Sequence, residues 1–485
     1  MTGDAAREAP GGATAVLRNR LFLFLWLAQV ATQIGANIVL YALVVMVREA
    51  TDLTSAVAVL FLTFLMPSVL FSALAGVYVD RFDRRWVLIV TNLLRAAFLV
   101  AIFVAGGNIT LVLVLNVVFA TVTVFFAPAE AAMIPKVVPR DQLVSANGLF
   151  TLTLNAAFAV GFAFLGPLLV AIMGGPEPVI LIVVTLYLIA AGLCVTQPSD
   201  KPAAHAAGSL IGEIGEARHA VSGTFQQLRD GVAYIRANPS IAWSLTYLGI
   251  VASLIGILGV LGPGFAEQTL GLAPKDLIVV VLPLGLGIVM GVLLLNAYGK
   301  LVTRRHAIEA GLFTLGVLLL LLDVAGPVSR FLTGVGDRVQ IVDLASVTSL
   351  VGVVVAIAFL AGVAYGIVAI SSQTQLQEDI VEEARGRVFG VLNMLISVAS
   401  ILPILILGSI ADLVGTTAVI LTVAILVLLS GIASIVMRAP EREGPRGSEI
   451  VGGIAVDGIG VTIRAPESDR GARTTRGGPE PGSGL

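Results

Sequence analysis

The sequence predicts an all-α integral membrane protein in which twelve transmembrane helices form two six-helix bundles. Hydrophobic residues make up 57% of the chain and charged residues only 12%, whereas soluble proteins carry about 25% charged residues. Apolar runs long enough to cross a bilayer, about 20 residues each, recur along the chain. Basic residues collect in alternate connections between these runs.

The predicted spans, numbered 1 to 12 in chain order, contain Gly and Pro freely, as membrane helices do. Membrane strands are excluded because they are about 10 residues long and alternate in polarity. The predicted spans are 21–47, 54–79, 86–105, 109–133, 143–173, 178–196, 240–266, 276–299, 305–325, 344–373, 386–411 and 416–437.

Lys and Arg crowd the segment before span 1 and the connections after spans 2, 4, 6, 8 and 10. The other connections carry only Arg48, Lys275, Arg330 and Arg338. Because cytoplasmic loops are enriched in Lys and Arg, we expect both termini in the cytoplasm.

Composition shifts divide the chain into five parts. In the longest internal polar connection, apolar residues recur at three- and four-residue steps from Ile211 to Ile235, which predicts an amphipathic helix. The Gly-, Pro- and Arg-rich end predicts a disordered tail. The parts are a cytoplasmic tail (1–20), a first bundle (21–196), a linker with the amphipathic helix (197–239), a second bundle (240–437) and a cytoplasmic tail (438–485).

Residues that carry chemistry are scarce. A lone cysteine, Cys194, excludes an intramolecular disulfide, and the three histidines lie in charged segments. We therefore expect no metal and no cofactor. An intramembrane enzyme would need paired aspartates, an HExxH motif or a Ser/His pair within the spans, and none is present. Nucleic acid binding has no basis beyond scattered arginines in the tail.

Charge concentrates between spans 2 and 3, in the segment Gly76–Arg85, which we call the hinge. Segments 134–148 and 376–390, before spans 5 and 11, resemble each other, and Gly299–Arg305 is a weaker echo of the hinge. The chain therefore contains two related halves, with an insertion expected within 323–343.

Twelve spans in two halves, with Gly76-x-x-x-Asp80-Arg81-x-x-Arg84-Arg85 after span 2, resemble the major facilitator superfamily. Within it, the chain is similar to the branch of enterobactin-type siderophore exporters and macrolide efflux proteins. The similarity covers residues 17–438. It implies the major facilitator fold, a bacterial plasma membrane, a small-molecule substrate and a monomer.

The hinge predicts a gate. Asp80 at the end of span 2 can face the start of span 11, where a helix dipole favours carboxylates. The hinge arginines can pair with acids near the cytoplasmic ends of spans 4 and 11. Anchoring by positive charge alone is the alternative. The gate residues are Gly76, Asp80, Arg81, Arg84 and Arg85, with Glu130, Asp379, Glu382, Glu383 and Arg387 as partners.

Span 5 contains Gly161, Gly166 and Pro167, which resemble the Gly-rich antiport motif of exporters in this superfamily. The usual Gly-Gly after the proline is replaced by Leu168 and Leu169. Packing through small residues is the alternative explanation.

The resemblance places a substrate cavity between the halves, near the membrane midplane. Gln29, Gln33 and Asn37 are four residues apart and share one face of span 1, with Tyr41 continuing the stripe. Packing against another helix is the alternative. Weaker cavity candidates are Asn155, Tyr247, Gln373 and Asn393.

Coupling to protons follows from the resemblance, but span 1 lacks the expected acid and has Ala36 and Asn37 after Gly35. Arg95 in span 3 is the basic residue farthest inside a span, where a charge costs about 2.5–3.5 kcal/mol. It either has a buried partner or reaches back to the membrane surface.

The sequence thus favours an alternating-access exporter of small amphiphilic compounds, of drug or siderophore type, coupled to protons. The alternatives are a facilitator without proton coupling and a membrane sensor or scaffold that retains the fold.

Overall fold

The structure, a computed structural model, describes residues 13–79, 81–199, 239–299, 302–330, 349–379 and 401–437. Within these residues, eleven helices are long and apolar enough to cross a membrane, and a shorter apolar helix covers Ile401–Val414. Every regular element in the described part is helical. The predicted all-α membrane fold is confirmed.

In the first half, spans 1, 2, 3, 4 and 6 are Arg20–Thr51, Thr54–Val79, Arg84–Ala105, Ile109–Val137 and Pro176–Val195. Span 5 consists of two α-helical segments, Leu143–Ala157 and Gly166–Met173, joined by a π-helical segment, Phe158–Leu165. In the second half, spans 7, 8, 9, 10 and 12 are Pro239–Leu270, Ile278–Tyr298, Arg304–Asp323, Leu350–Asp379 and Thr416–Met437.

The predicted bounds agree with these helices to within about six residues. Span 1 was expected over 21–47 and continues to Thr51, and span 10 was expected over 344–373 and continues to Asp379. The additional residues at these two ends are mostly polar. An apolar run predicts only the part of a helix that it covers, so the polar turns that continue the helix were not predicted. Ile401–Val414 overlaps the predicted span 11. The rest of that span, the predicted linker helix, most of the 323–343 insertion and the C-terminal tail lie outside the described residues.

Side-chain caps start several spans. Asn19 accepts backbone hydrogen bonds from Leu21 and Phe22 at the start of span 1, and Asn108 accepts one from Leu111 at the start of span 4. Such caps satisfy amide groups that have no partner within the helix. They fix where each helix begins at the membrane boundary.

Packing within each half centres on one or two helices. In the first half, span 6 packs against spans 1 and 3, and span 4 packs against spans 2 and 3. In the second half, span 10 packs against spans 7, 8 and 9. The halves meet where span 5 contacts span 8 and where span 2 contacts span 7. These contacts bring residues of the two halves together in the described part of the chain.

Candidate functional site

The two ends of the helix bundle differ in how the halves meet. Span 1 ends and span 2 begins at one end, which we call the Arg48 end. Span 2 ends and span 3 begins at the other, which we call the Arg84 end. If the positive-inside expectation holds, the Arg84 end faces the cytoplasm.

At the Arg48 end, an ion pair joins the two halves. Arg48, near the end of span 1, donates from Nε and Nη2 to Glu267 Oε2 on span 7, at 2.9 and 2.6 Å. The side chain of Arg48 is only 5% exposed and that of Glu267 20%. The pair is therefore largely withdrawn from water, where charge-assisted hydrogen bonds are strong.

A second contact between the halves lies beside this ion pair. Asp412, near the end of Ile401–Val414, accepts hydrogen bonds from the backbone N–H groups of Thr54 and Ser55, at 2.7 and 2.9 Å. These are the first two residues of span 2. A carboxylate from the second half thus caps a helix of the first half and interacts with its positive dipole end.

Small residues allow this close approach. A Cβ atom on Gly264 of span 7 would lie 2.8 Å from Thr416 Cγ2 and 3.3 Å from Thr54 Oγ1. A Cβ atom on Gly408 would lie 2.6 Å from Ala58 Cβ of span 2. We call the group Arg48, Thr54, Ser55, Glu267 and Asp412 the latch.

Sequence reasoning missed the latch. It counted Arg48 as a loop charge and assigned no role to Glu267 or Asp412. The available signal was that all three lie within a few residues of span ends that share one membrane face. Oppositely charged residues at such positions, one from each half, are candidates for a contact between the halves.

A small apolar cavity lies between the halves, on the inner side of the latch. Its volume is about 50 Å³, far below the roughly 300–1,000 Å³ of sites that hold drug-sized ligands. In this conformation it is too small for such a molecule. Its lining includes Tyr41, Phe158 and Phe162 of the first half and Leu258, Pro263 and Val281 of the second.

The polar stripe of span 1 faces span 5. Gln29 is 1% exposed, and its Nε2 donates to the Phe150 carbonyl at 3.4 Å. Asn37 is half-buried and its Nδ2 donates to the carbonyl of Gln33, which is itself half-buried, at 2.8 Å. Tyr41 alone of the four lines the cavity.

The glycines of the antiport-like motif lie against this same stripe. A Cβ atom on Gly161 would lie 2.7 Å from Asn37 Cβ, and one on Gly166 would lie 2.8 Å from Tyr41 Cβ. Gly166 and Pro167 open the last α-helical segment of span 5, directly after the π-helical segment. A π segment bulges the helix and often occurs at functional sites. The motif therefore brings span 5 close to span 1 beside the cavity.

The other predicted cavity residues are dispersed. Tyr247 is buried within the second half, where its hydroxyl bonds Ser434 Oγ at 2.5 Å, and Ser434 donates to Glu309. Gln373 is half-buried on span 10. The side chain of Asn155 and the whole of Asn393 lie outside the described residues.

At the Arg84 end, the structure describes part of the hinge. Asp83 caps span 3 by accepting the backbone N–H of Arg85 at 3.0 Å, and its other oxygen accepts the Ser199 hydroxyl. Arg81 is exposed, Arg84 and Arg85 are half-buried, and the backbone of Gly76 lies in span 2. Asp80, the Asp379 side chain, Glu382, Glu383 and Arg387 lie outside the described residues.

The remaining predicted gate partner, Glu130, lies deep in the first half. It is 5% exposed, and its electrostatic partner is Arg95, which is 2% exposed. Arg95 thus stays inside the bundle rather than reaching the membrane surface. Of the two alternatives for this residue, the structure shows the buried one.

Apolar spanning helices in two halves with a small cavity between them define a polytopic membrane protein with the architecture expected of a transporter. The Major Facilitator Superfamily profile matches residues 25–402. The chain therefore belongs to the Major Facilitator Superfamily, which confirms the resemblance carried by the hinge and its spacing.

Curated relatives include efflux proteins. Macrolide efflux protein A of Streptococcus pyogenes is 23% identical over 401 residues, 81% of this chain and 90% of the relative. The multidrug efflux pump Tap of Mycolicibacterium fortuitum is 23% identical over 437 residues, 87% of this chain and 96% of the relative. The chain is accordingly a transporter of a bacterial type that resides in a cell membrane.

Solved structures share the fold at low identity. A bacterial homologue of the human lysosomal transporter Spinster aligns with a TM-score of 0.62 and 13% identity, covering 86% of this chain and 96% of that one. The nucleoside transporter NupG aligns with a TM-score of 0.61 and 14% identity, covering 86% and 98%. These likenesses support the fold of both halves.

Removing one latch partner should open the Arg48 end. We expect Arg48→Gln to weaken the contact between the halves by about 1.5–3 kcal/mol of free energy. This change lowers the population of the closed form relative to the open form about tenfold or more. In a Cys194→Ser background, a cysteine replacing Leu258 in the cavity should then react faster with a membrane-impermeant maleimide added at the Arg48 end.

Glu177→Gln is the matched control for this prediction. Glu177 is an exposed carboxylate at the same end of the bundle, so its loss should leave the labelling rate unchanged. Equal labelling rates in Arg48→Gln and in the background protein would contradict the assignment of the latch.

Proposed function

We propose that this transporter exports small amphiphilic compounds by alternating access and exchanges them for protons. The observation that carries the proposal is the cavity between the halves, closed at the Arg48 end by the latch. Alternating access requires contacts of this kind, which hold one face shut and can break without unfolding either half. The efflux functions of two relatives, macrolide efflux protein A and the pump Tap, support the direction of transport.

The lining of the cavity supports the substrate class. Aromatic and aliphatic side chains from both halves surround it, and Tyr41 is the lining residue that carries a hydroxyl group. Pockets with this balance bind molecules with a large apolar surface and few polar groups. When the latch opens and the halves separate, these surfaces form the walls of an enlarged cavity.

A gate at the Arg84 end completes the cycle in this proposal. In the proposed gate, which forms when the cavity opens at the Arg48 end, we assign Asp80 to a contact with the start of span 11 and the hinge arginines to contacts with acids of the second half. The arrangement at the Arg48 end supports this role for Asp80. There Asp412, near the end of span 11, caps the start of span 2. In the proposed gate at the opposite end, the carboxylate comes from span 2 and the helix start from span 11.

A facilitator without proton coupling is the second candidate. It is favoured by one observation: the half-buried Asn37 occupies the part of span 1 where the superfamily resemblance leads us to expect an acid. Measuring the driving force separates the two candidates.

Purified protein in proteoliposomes should accumulate ethidium or a radiolabelled macrolide when a pH gradient is imposed. The ionophore nigericin, which collapses the gradient, should abolish the accumulation while exchange of the probe across the membrane continues. Accumulation that persists without the gradient would contradict proton exchange. Failure to move either probe would contradict the proposed substrate class.

The gate is tested by Asp80→Asn. This substitution removes the charge and keeps the size of the side chain, so transport should fall at least about tenfold if the carboxylate contributes about 1.4 kcal/mol or more to the closed gate. The amount of protein in the membrane should stay the same. Asp141→Asn, which removes an exposed carboxylate at the same end, should transport normally. Normal transport by Asp80→Asn would contradict the gate.

A further inference from the structure

A group of buried polar side chains lies between spans 3, 4 and 6, inside the first half and apart from the cavity between the halves. Arg95 is 2% exposed and Glu130 5%, while Asn92 and Tyr187 are fully buried. We call this group, together with Cys194, the Arg95 cluster. The latch uses none of these residues, and Glu130 is the one that the sequence suggested as a gate partner.

Aromatic rings surround the guanidinium of Arg95. Its Cζ atom lies 4.2 Å from the centroid of the Phe126 ring and 5.1 Å from that of Tyr187. Cation–π contacts of this kind stabilise a desolvated cation. The Nε and Nη2 atoms of Arg95 are nevertheless buried without a hydrogen-bond partner among the described residues. The two rings thus hold the cation in place, while two of its hydrogen-bond donors remain unused among the described residues.

The carboxylate of Glu130 is also incompletely bonded. Its Oε1 atom is buried and has no hydrogen-bond partner in the described part of the chain. Phe126 and Glu130 are four residues apart and therefore share one face of span 4, which directs both towards Arg95. The two charges stabilise each other electrostatically without the direct ion pair seen in the latch.

The buried ionisable groups of the cluster other than Arg95 and Glu130 come from span 6, which contributes Tyr187 and Cys194, and Asn92 Nδ2 lies 3.8 Å from Cys194 Sγ. Span 4 also carries Lys136 in its last turn, and span 3, which packs on it, carries the half-buried Arg84 and Arg85 in its first turn. Of the other elements packed on span 4, span 5 has no ionisable residue, span 2 has only the exposed Tyr78, and span 1 has none between Arg20 and Tyr41. Glu130 is therefore the acid that balances Arg95.

Two other buried or partly buried acids near the spans accept hydrogen bonds from an arginine, although Glu267 Oε1, like Glu130 Oε1, has no partner among the described residues. Glu309 in the second half accepts from Arg305 Nε at 2.8 Å and from Ser434 Oγ at 3.3 Å. Glu267 accepts two hydrogen bonds from Arg48. No described arginine donates to Glu130 in this way, and its Oε1 atom has no donor in the described part of the chain, so protonating that oxygen sacrifices no hydrogen bond.

We propose that Glu130 binds and releases the proton that this transporter exchanges for its substrate, with Arg95 as the positioning charge. The inference rests on the proposed proton exchange and locates it. A proton from water forms an O–H bond with the Glu130 carboxylate at one stage of the cycle, and that bond breaks to return the proton to water at the opposite face.

Protonation changes the balance of charge in the cluster. When Glu130 is neutral, Arg95 is a buried cation without its counter-charge, which is costly inside a bilayer. Spans 3, 4 and 6 then favour a packing in which Arg95 gains water or another partner. This difference between the two protonation states shifts the equilibrium between the two conformations.

The test separates driven accumulation from exchange. Proteoliposomes containing the full chain receive ethidium or a radiolabelled macrolide, with and without a pH gradient. We expect Glu130→Gln to exchange external for internal probe but to reach only equal concentrations on the two sides under a gradient. Glu130→Asp, which keeps an ionisable carboxyl group, should restore part of the accumulation.

Glu309→Gln is the matched control, because it neutralises a buried acid of the second half and should still accumulate the probe. Accumulation by Glu130→Gln that follows the gradient would overturn this inference and leave the proposed function intact. Loss of accumulation in Glu130→Gln and Glu309→Gln alike would also overturn it. A wild-type protein that ignores the gradient would overturn proton exchange itself.

Discussion

The contact on which this structure depends is the joining of the two halves at the Arg48 end. Arg48 and Glu267 form an ion pair largely withdrawn from water, and Asp412 caps the first backbone amides of span 2. Both contacts connect elements that belong to different halves. Their energies are those of a few charge-assisted hydrogen bonds, about 1.5–3 kcal/mol each, which is enough to hold a conformation and small enough to be reversed.

The charges in the membrane-spanning region have different surroundings. In the latch, Arg48 donates two hydrogen bonds to one oxygen of Glu267, and Glu309 is bonded by Arg305 and Ser434. Arg95 and Glu130 are buried as deeply but form no direct ion pair, and three of their polar atoms, like Glu267 Oε1 in the latch, have no partner in the described part of the chain. In a bilayer an unpartnered polar group is costly, so its retention points to a function. The bonded charges hold structure, and we assign the incompletely bonded pair to proton exchange.

Much of the fold could be predicted because a bilayer imposes a simple rule: a spanning segment must be long, apolar and helical. This rule located spans such as Thr54–Val79 and Thr416–Met437 at the predicted residues. The hinge spacing from Gly76 to Arg85 predicted the superfamily. These features are local in sequence, so no knowledge of packing was needed.

The site was harder to predict because its contacts are distant in sequence. Arg48 meets Glu267 across 219 residues, and Thr54 meets Asp412 across 358. Periodicity placed Gln29 and Asn37 on one face of span 1, but could not distinguish a cavity wall from the contact with span 5. Likewise, the position of Arg95 in span 3 did not reveal the rings of Phe126 and Tyr187 that surround it.

The central claim is that the two halves separate at the Arg48 end during transport. The most direct measurement is the distance between spin labels at Val104 and Leu413, exposed positions at that end in the first and second halves, in a Cys194→Ser background. Double electron–electron resonance in lipid should show a shorter and a longer distance whose proportions change with pH and with added macrolide. A single distance that neither condition alters would contradict the claim.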